Sequence, residues 1–231
     1  MRRLAGGREH IDGPLDRAVL AGNLRDMARI NRALGGAALS WRAVEPILDE
    51  HSTRPLRLLD VGTGGLDIPL YLQRTAVRRN RKLDITATDV RPEIVEIGQQ
   101  MAQGQAIRVR LARPDGLDES DDSFDVVHSS MVIHHLEPSE AVTMLREMSR
   151  VARRAVIVND LDRSRLWHVL AYALSRVATR NRYTRHDAPM SVRRAYRPAE
   201  LAMLAAEAGL AAEATYWARP AYRFATVFRH A

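Results

Sequence analysis

One apolar run that ends in glycines constrains this chain more than any other feature. Leu58-Leu59-Asp60-Val61-Gly62-Thr63-Gly64-Gly65-Leu66-Asp67-Ile68-Pro69 reads as a strand, a sharp turn and the start of a helix. Glycine is needed where backbone must turn tightly or approach a ligand with no Cβ in between. The N–H groups of a helix N-terminus favour an anionic group such as a carboxylate or phosphate. A dinucleotide fingerprint would need glycine at position 67, where this chain has Asp67. Asp89 follows Gly65 by 24 positions, within Thr88-Asp89-Val90-Arg91-Pro92-Glu93. A carboxylate at the tip of a second strand can accept both hydroxyls of a ribose. Its competing role is to cap the helix that Pro92 opens.

The rest of the chain repeats this rhythm. An amphipathic helix is expected over 14–35, with Leu15, Val19, Leu24, Met27, Ile30 and Leu34 at helical spacing and Gly35-Gly36 as its stop. A second helix over about 38–51 precedes the boundary at Arg54-Pro55. Strands then read at 56–61, 83–90, 107–111, 124–128 and 155–158, with helices near 66–79, 92–103 and 138–151 between them. Such alternation argues for an α/β fold with a parallel sheet covered on both faces. After 161 the rhythm breaks into an apolar helix at 164–180 and an irregular Arg-rich stretch. A helix at about 198–208 and strands near 213–218 and 223–229 follow. The chain reads as one domain, 1–231. It comprises an N-terminal helical extension (1–54), a ligand-binding half (55–161), an insertion over a second substrate (162–197) and a closing helix and strands (198–231).

LLDVGTGG, ATDVRPE, RPDGL, DDSFDVVHSSMVIHHLEP and AYRPAELAMLAAEAGL together resemble the class I S-adenosylmethionine-dependent methyltransferases. The likeness is to the branch of ubiquinone/menaquinone-biosynthesis and small-molecule enzymes, and it covers about 55–231. It implies a doubly wound, Rossmann-like seven-stranded sheet, mostly parallel with an antiparallel C-terminal strand, plus N-terminal helices and a helical lid insertion. It implies S-adenosylmethionine as cofactor. Asp60, Gly62, Thr63, Gly64 and Gly65 would surround the methionine part, and Asp89 with Val90 the ribose. Asp115 and Gly116 would meet the adenine amine, and Ser129 would lie beside the sulfonium. The family's third motif glycine falls on Leu66 here, so a side chain crowds the methionine end or the turn shifts onto Gly65.

Methyl transfer from a sulfonium is an in-line displacement in which the protein positions two reactants and may remove a proton. Candidate bases are His134 and His135, just after the fourth strand, and His186, in the segment that would cover the acceptor. Each also has a plain structural reading as a packed or solvated histidine. No metal is expected. Asn159-Asp160 ends the fifth strand, but metal-dependent catechol-type enzymes also want an acidic residue where this chain has Ser129. The fourth strand ends in Ser129-Ser130-Met131-Val132, without the Asn/Asp-Pro-Pro-aromatic motif of amide-nitrogen methylation. Zero cysteines exclude a covalent thiolate route and a disulfide scaffold. The expected reaction is O-methylation, with C-methylation next, of an aromatic, polyketide-like or quinone-like small molecule. Trp167, Tyr172, Arg182, Arg193 and Tyr196 are the expected acceptor contacts. The apolar stripe of 164–180 reads first as core, then as an acceptor pocket wall or a weak membrane-surface contact.

The net charge of +7 divides unevenly. Residues 1–149 carry 20 basic and 22 acidic side chains, net −2, and residues 150–231 carry 15 and 6, net +9. Seven arginines against Asp187 alone crowd 176–197. This motivates a rival, an RNA methyltransferase, but the stretch has few aromatics for stacking bases, and a nucleic-acid partner is not expected. A cofactor-binding regulatory or partner protein is the rival of another class. Met1-Arg2-Arg3-Leu4-Ala5-Gly6-Gly7 is too short and polar for a signal peptide, and no run approaches the ~18 apolar residues of a membrane span. A cytoplasmic monomer or homodimer is expected.

Overall fold

Leu56, Leu58, Leu59 and Val61 are buried, and alternate residues of that strand enter different cores. Side chains along a strand alternate between faces, so a strand covered on both sides must be apolar throughout. The computed structural model describes residues 1–14, 16–50, 54–114, 116–218 and 222–231. Its strands are β1 (Leu56–Val61), β2 (Leu83–Asp89), β3 (Ile107–Leu111), β4 (Phe124–Ser130), β5 (Ala152–Leu161), β6 (Leu210–Trp217) and β7 (Arg223–His230). They form one sheet in the order β3-β2-β1-β4-β5-β7-β6, with β7 antiparallel to both neighbours. The order reverses between β1 and β4, where Val61 pairs Ser129. Ligands of doubly wound sheets sit at the carboxyl edge of that point.

Helices α1 (Arg17–Ala33) and α2 (Gly36–Asp49) precede the sheet. The helices α3 (Asp67–Arg78), α4 (Pro92–Met101), α5 (Pro138–Val151) and α8 (Pro198–Glu207) alternate with its strands. Trp41, Val44 and Ile47 of α2 and Leu70 and Leu72 of α3 pack on one face with Leu58 and Val126. Leu145 and Met148 of α5 and Leu201 and Leu204 of α8 pack on the other with Leu59, Val127 and Phe228. The second helix starts one residue after the left-handed Gly35, two positions earlier than the sequence pattern suggests. Leu15 and Asp115 lie outside the described residues. None of the described helices is long and apolar enough to cross a membrane.

The insertion reverses two expectations. The stretch after 180 is not irregular: α7 (Arg182–Arg194) is a helix, and Asn181 caps it by accepting the N–H groups of Tyr183 and Thr184 at 2.9 and 3.2 Å. Its buried stripe includes Thr184, Asp187 and Ser191, so its inward face is polar and hydrophobic periodicity is silent. The helix before it, α6 (Arg165–Ala178), has the opposite character. Its apolar stripe is not core, because Leu166, Val169, Leu174 and Val177 are exposed and Ser175 is the residue buried.

Candidate functional site

The glycine turn is closed by backbone. The N–H groups of Gly62 and Thr63 both donate to the Thr88 carbonyl at 2.9 Å, which binds the turn to the end of β2. Gly62 and Gly64 have φ of 71° and 53°, in the left-handed region. At Gly62 a Cβ would stand 2.4 Å from Val132 Cγ2, so close approach as well as conformation demands glycine. Leu66 has φ 60° and is fully buried. The side chain therefore goes into the core beside α2 and α3; it neither crowds the turn nor moves the left-handed position onto Gly65. A non-glycine residue pays roughly 1–2 kcal/mol for that conformation.

Asp89 ties the glycine turn to the start of α4 without capping that helix. One carboxylate oxygen accepts the Gly64 N–H at 3.1 Å, and the other accepts the Arg91 N–H at 3.0 Å, just before α4. Burial pushes its carboxyl up, against the pull of those two N–H groups. Val90 beside it is exposed. Thr63 Oγ1 is buried without a partner. Ser129 is buried at the end of β4 and donates to the Val61 carbonyl at 3.1 Å. Gly116 lies against Glu147, whose carboxylate also accepts the Leu117 N–H at 3.2 Å.

Asp60 is paired across the sheet. Its carboxylate accepts His128 Nδ1–H at 2.6 Å across the β1–β4 pair. His128 Nε2 then accepts from Ser40 Oγ at 2.9 Å, and Ser40 accepts from Asn159 Nδ2 at 2.6 Å. Asn159 Oδ1 accepts from Arg223 Nε at 2.5 Å. The same guanidinium reaches Asn31 Oδ1 and Ser130 Oγ, each at 2.6 Å. Asn31 donates to Asp67 at 2.9 Å. This buried chain of polar groups fastens α1 and α2 to four strands. Burial pushes the Asp67 carboxyl up and the Arg223 guanidinium down.

A second cluster forms where the N-terminal segment meets the short 3-10 turn Ile133–His135 and α7. His134 is buried; its Nδ1–H donates to Asp160 at 2.7 Å, and its backbone N–H donates to the other Asp160 oxygen at 3.1 Å. Burial opposes ionisation of Asp160, but the His134 contact and Arg223 hold its carboxyl below the usual range. His135 Nδ1–H donates to Asp12 at 2.8 Å. Glu9 faces both rings, with carboxylate–Nε2 separations of 3.7 Å to His134 and 3.9 Å to His135. Burial pushes the Glu9 carboxyl up to about 7, which His135 and the Ser191 hydroxyl only partly offset. Arg194 pairs with Asp12 at 2.9 Å and donates to the carbonyls of His134 and His135.

His186 lies on α7 and not in a loop. Its Nδ1–H donates to Asp187 at 2.8 Å, and its ring stacks on His10 at 3.9 Å. Asp187 also accepts the backbone N–H groups of His10 and Ile11 at 2.7 and 3.2 Å. The expected acceptor contacts are scattered. Trp167 packs edge-on against Tyr222, and Tyr172 is exposed beneath the Arg176 guanidinium. Arg182 pairs with Asp16, and Arg193 is exposed. Tyr196 is not at an open face: it is buried, donates to the Leu136 carbonyl at 2.9 Å, and carries Arg3 over its ring. Sequence reasoning did not reach Glu9, Asp12 or Arg223, and it offered Arg194 only as a contact on the acceptor side. Glu9 and Asp12 sit in a segment with no periodicity, and Arg223 is one arginine in a chain full of them.

Residues 58–155 match the family described as Methyltransferase domain. A release factor glutamine methyltransferase of Streptococcus pneumoniae is 31% identical over 88 residues, 38% of this chain and 30% of that protein. The aligned part is thus about a third of that relative's length. A SAM-dependent methyltransferase from Aquifex aeolicus superposes with TM-score 0.65 at 17% identity, over 94% of this chain and 100% of that one. Magnesium protoporphyrin IX methyltransferase from Synechocystis PCC 6803, solved with bound SAH, superposes with TM-score 0.62 at 15% identity, over 88% of this chain and 86% of that one.

Proposed function

We propose that this chain, a class I methyltransferase by its matched domain and its fold, moves a methyl group from S-adenosylmethionine to an oxygen of a small apolar acceptor. The observation that carries the reading is the left-handed Gly62–Gly64 turn tied to the Asp89 carboxylate where strand order reverses. The residues fit the cofactor. Asp89 uses one N–H donor per oxygen and keeps lone pairs for two ribose hydroxyls. Thr63 offers a buried hydroxyl with no partner, and Gly64 leaves the turn open, with Leu24 Cδ2 at 3.9 Å as the nearest atom to where a Cβ would stand. S-adenosylmethionine, when bound, supplies a sulfonium methyl open to in-line attack. The chain's part is to hold the donor at the β1 and β2 tips and to orient the acceptor beyond β4. His186, its ring fixed through Nδ1 by Asp187, is the acceptor-side base in this reading.

The arginines of the insertion support a small acceptor over RNA. Arg176 and Arg185 donate to backbone carbonyls of each other's helix, Arg182 pairs with Asp16, and Arg194 is buried on Asp12. Arg194 is thus used inside the fold, and Arg176, Arg182 and Arg185 are tied down at its surface. The Ser129-Ser130-Met131-Val132 strand end argues against the glutamine-nitrogen chemistry named for the Streptococcus pneumoniae relative. The burial of Leu66 removes the reason to read the chain as a cofactor-binding protein without transfer. The exposed apolar face of α6 supports an acceptor delivered from an apolar phase, such as a membrane surface.

Titration calorimetry with S-adenosylmethionine tests the core of this reading. Binding is expected, and Asp89→Ala should weaken it about tenfold to a hundredfold. Absence of binding, or an unchanged affinity in the variant, refutes it. With a panel of phenolic and quinol acceptors, His186→Ala should lower turnover while cofactor affinity holds.

A further inference from the structure

Two imidazoles and a carboxylate with no partners between them converge in the interior. Glu9 Oε1 and His134 Nε2 are both buried, both without a hydrogen-bond partner, and 3.7 Å apart. That separation is too long for a hydrogen bond and too short to admit a water between them. His135 Nε2 stands 3.9 Å from the other Glu9 oxygen, and one ligand atom from each of the three residues lies within 4.8 Å of the others. The rings are 4.3 Å apart, inclined by 34°.

The outer contacts fix which nitrogens face inward. Asp160 accepts from His134 Nδ1 and Asp12 accepts from His135 Nδ1, so each ring keeps its proton on the outer nitrogen. The Nε2 lone pairs of both rings therefore point at the Glu9 carboxyl, an arrangement that repels unless that carboxyl carries a proton or a cation lies between. A carboxylate behind each histidine is the recurrent support of metal-ligating imidazoles. Ser191 Oγ donates to Glu9 Oε2 at 2.8 Å and orients the third ligand in the same way. Local charge also favours a dication. Asp12 and Asp187 both act on Glu9 as like charges. Ligands about 2.0–2.1 Å from a tetrahedral zinc stand about 3.4 Å apart; the two carboxylate–imidazole separations of 3.7 and 3.9 Å are close to that, and all three ligand atoms lie within 4.8 Å of one another.

We propose that Glu9, His134 and His135 form a binding site for one divalent transition-metal cation of the zinc class. Three protein ligands leave a fourth position open, the pattern of sites that accept water or a substrate oxygen rather than closed structural ones. This departs from the sequence expectation of no metal, which weighed Asn159-Asp160 alone; Asp160 acts here behind a ligand. Two of the ligands follow β4 directly, and the third arrives from the N-terminal segment. Metal occupancy would thus pin that segment across the acceptor side of the sheet. The inference stands on binding and does not depend on methyl transfer.

The test uses the full chain stripped with a chelator and dialysed against Zn²⁺, with metal counted by mass spectrometry. About one Zn²⁺ per chain is expected, bound at least about tenfold more weakly by Glu9→Gln and by His135→Asn. His186→Ala should bind Zn²⁺ as the wild type does, because that histidine is outside the set. Co²⁺ in place of Zn²⁺ should give a visible absorption band in the wild type that Glu9→Gln loses. Circular dichroism of each metal-free variant establishes that it folds, and His135→Asn, at the rim of the cluster, keeps the test open if Glu9→Gln does not. No stoichiometric Zn²⁺ binding, or binding that survives both ligand variants or is lost with His186→Ala, overturns the proposal.

Discussion

Leu66 combines two properties that normally exclude each other, a left-handed backbone at φ 60° and a side chain with no exposure. Leu72, in the interior of α3, is equally buried in the same core but helical. Replacing either by alanine should cost about 3–5 kcal/mol, because the lost contacts and the cavity are alike. The further step from alanine to glycine should separate them. At Leu72 glycine loses about 0.8 kcal/mol for the methyl and about 1 kcal/mol of helix propensity, so it should fall about 1.8 kcal/mol below alanine. At Leu66 the same methyl and about 0.7 kcal/mol of unfolded-state entropy are lost, but about 1.5 kcal/mol of left-handed strain is relieved. Glycine and alanine should therefore be nearly equal there. Denaturant unfolding of the four variants measures both gaps. In thermal melts the Leu72 pair should differ by about 4–7 °C and the Leu66 pair by about 1 °C or less. Equal gaps at the two positions would refute the claim that Leu66 is strained. S-adenosylmethionine affinity of Leu66→Gly should match the wild type; a marked gain would mean the side chain reaches the turn after all.

Arg223→Met should cost about 3–5 kcal/mol, since it leaves Asn31 and Asn159 buried and Ser130 half-buried with lost partners; a loss under 1 kcal/mol in chemical denaturation would show the network to be dispensable. Gly62→Ala should destabilise by about 1–3 kcal/mol, through both its φ of 71° and the Val132 contact. Adding Val132→Ala should recover part of that loss, and strict additivity in the double variant would count against the contact. Glu147 is held below the usual carboxylate range chiefly by its hydrogen bond to Arg150. Its contribution is present above the unfolded value and is lost as pH falls through the folded one. Partial exposure keeps it at about 0.5–1 kcal/mol. Glu147→Gln should speed amide exchange at Leu117 and remove that part of the stability lost as pH falls below the ordinary carboxylate range; unchanged exchange there would argue that the loop does not depend on Glu147.

The sheet was legible because its central parallel strands carry buried apolar runs bounded by turn chemistry, and the glycine turn announces itself. Asp89 was legible for the same reason, as a polar residue at the end of such a run. The insertion was not. A helix is recognised by an apolar stripe, and α7 buries Thr184, Asp187 and Ser191 while α6 leaves its apolar stripe in water. Asp60 shows a further limit. Its partner across the sheet, His128 on β4, depends on strand register, which no local pattern in the sequence states. The grouping of Glu9 with His134 and His135 spans more than 120 positions, and no local pattern connects them.

The Arg223 guanidinium binds a residue 192 positions earlier and another 64 positions earlier. Its strand is threaded between β5 and β6, so the sheet has a gap until β7 arrives. During synthesis the first two helices and five strands therefore emerge with Asn31, Ser130 and Asn159 waiting for a partner translated later. Contacts of such long range carry a high closure cost and form late. A nascent chain arrested before residue 223 should remain sensitive to protease at α1 and α2, however complete its glycine turn. The last strand thus acts as the closing step of assembly, and a lesion there should be felt first as a failure of biosynthetic yield.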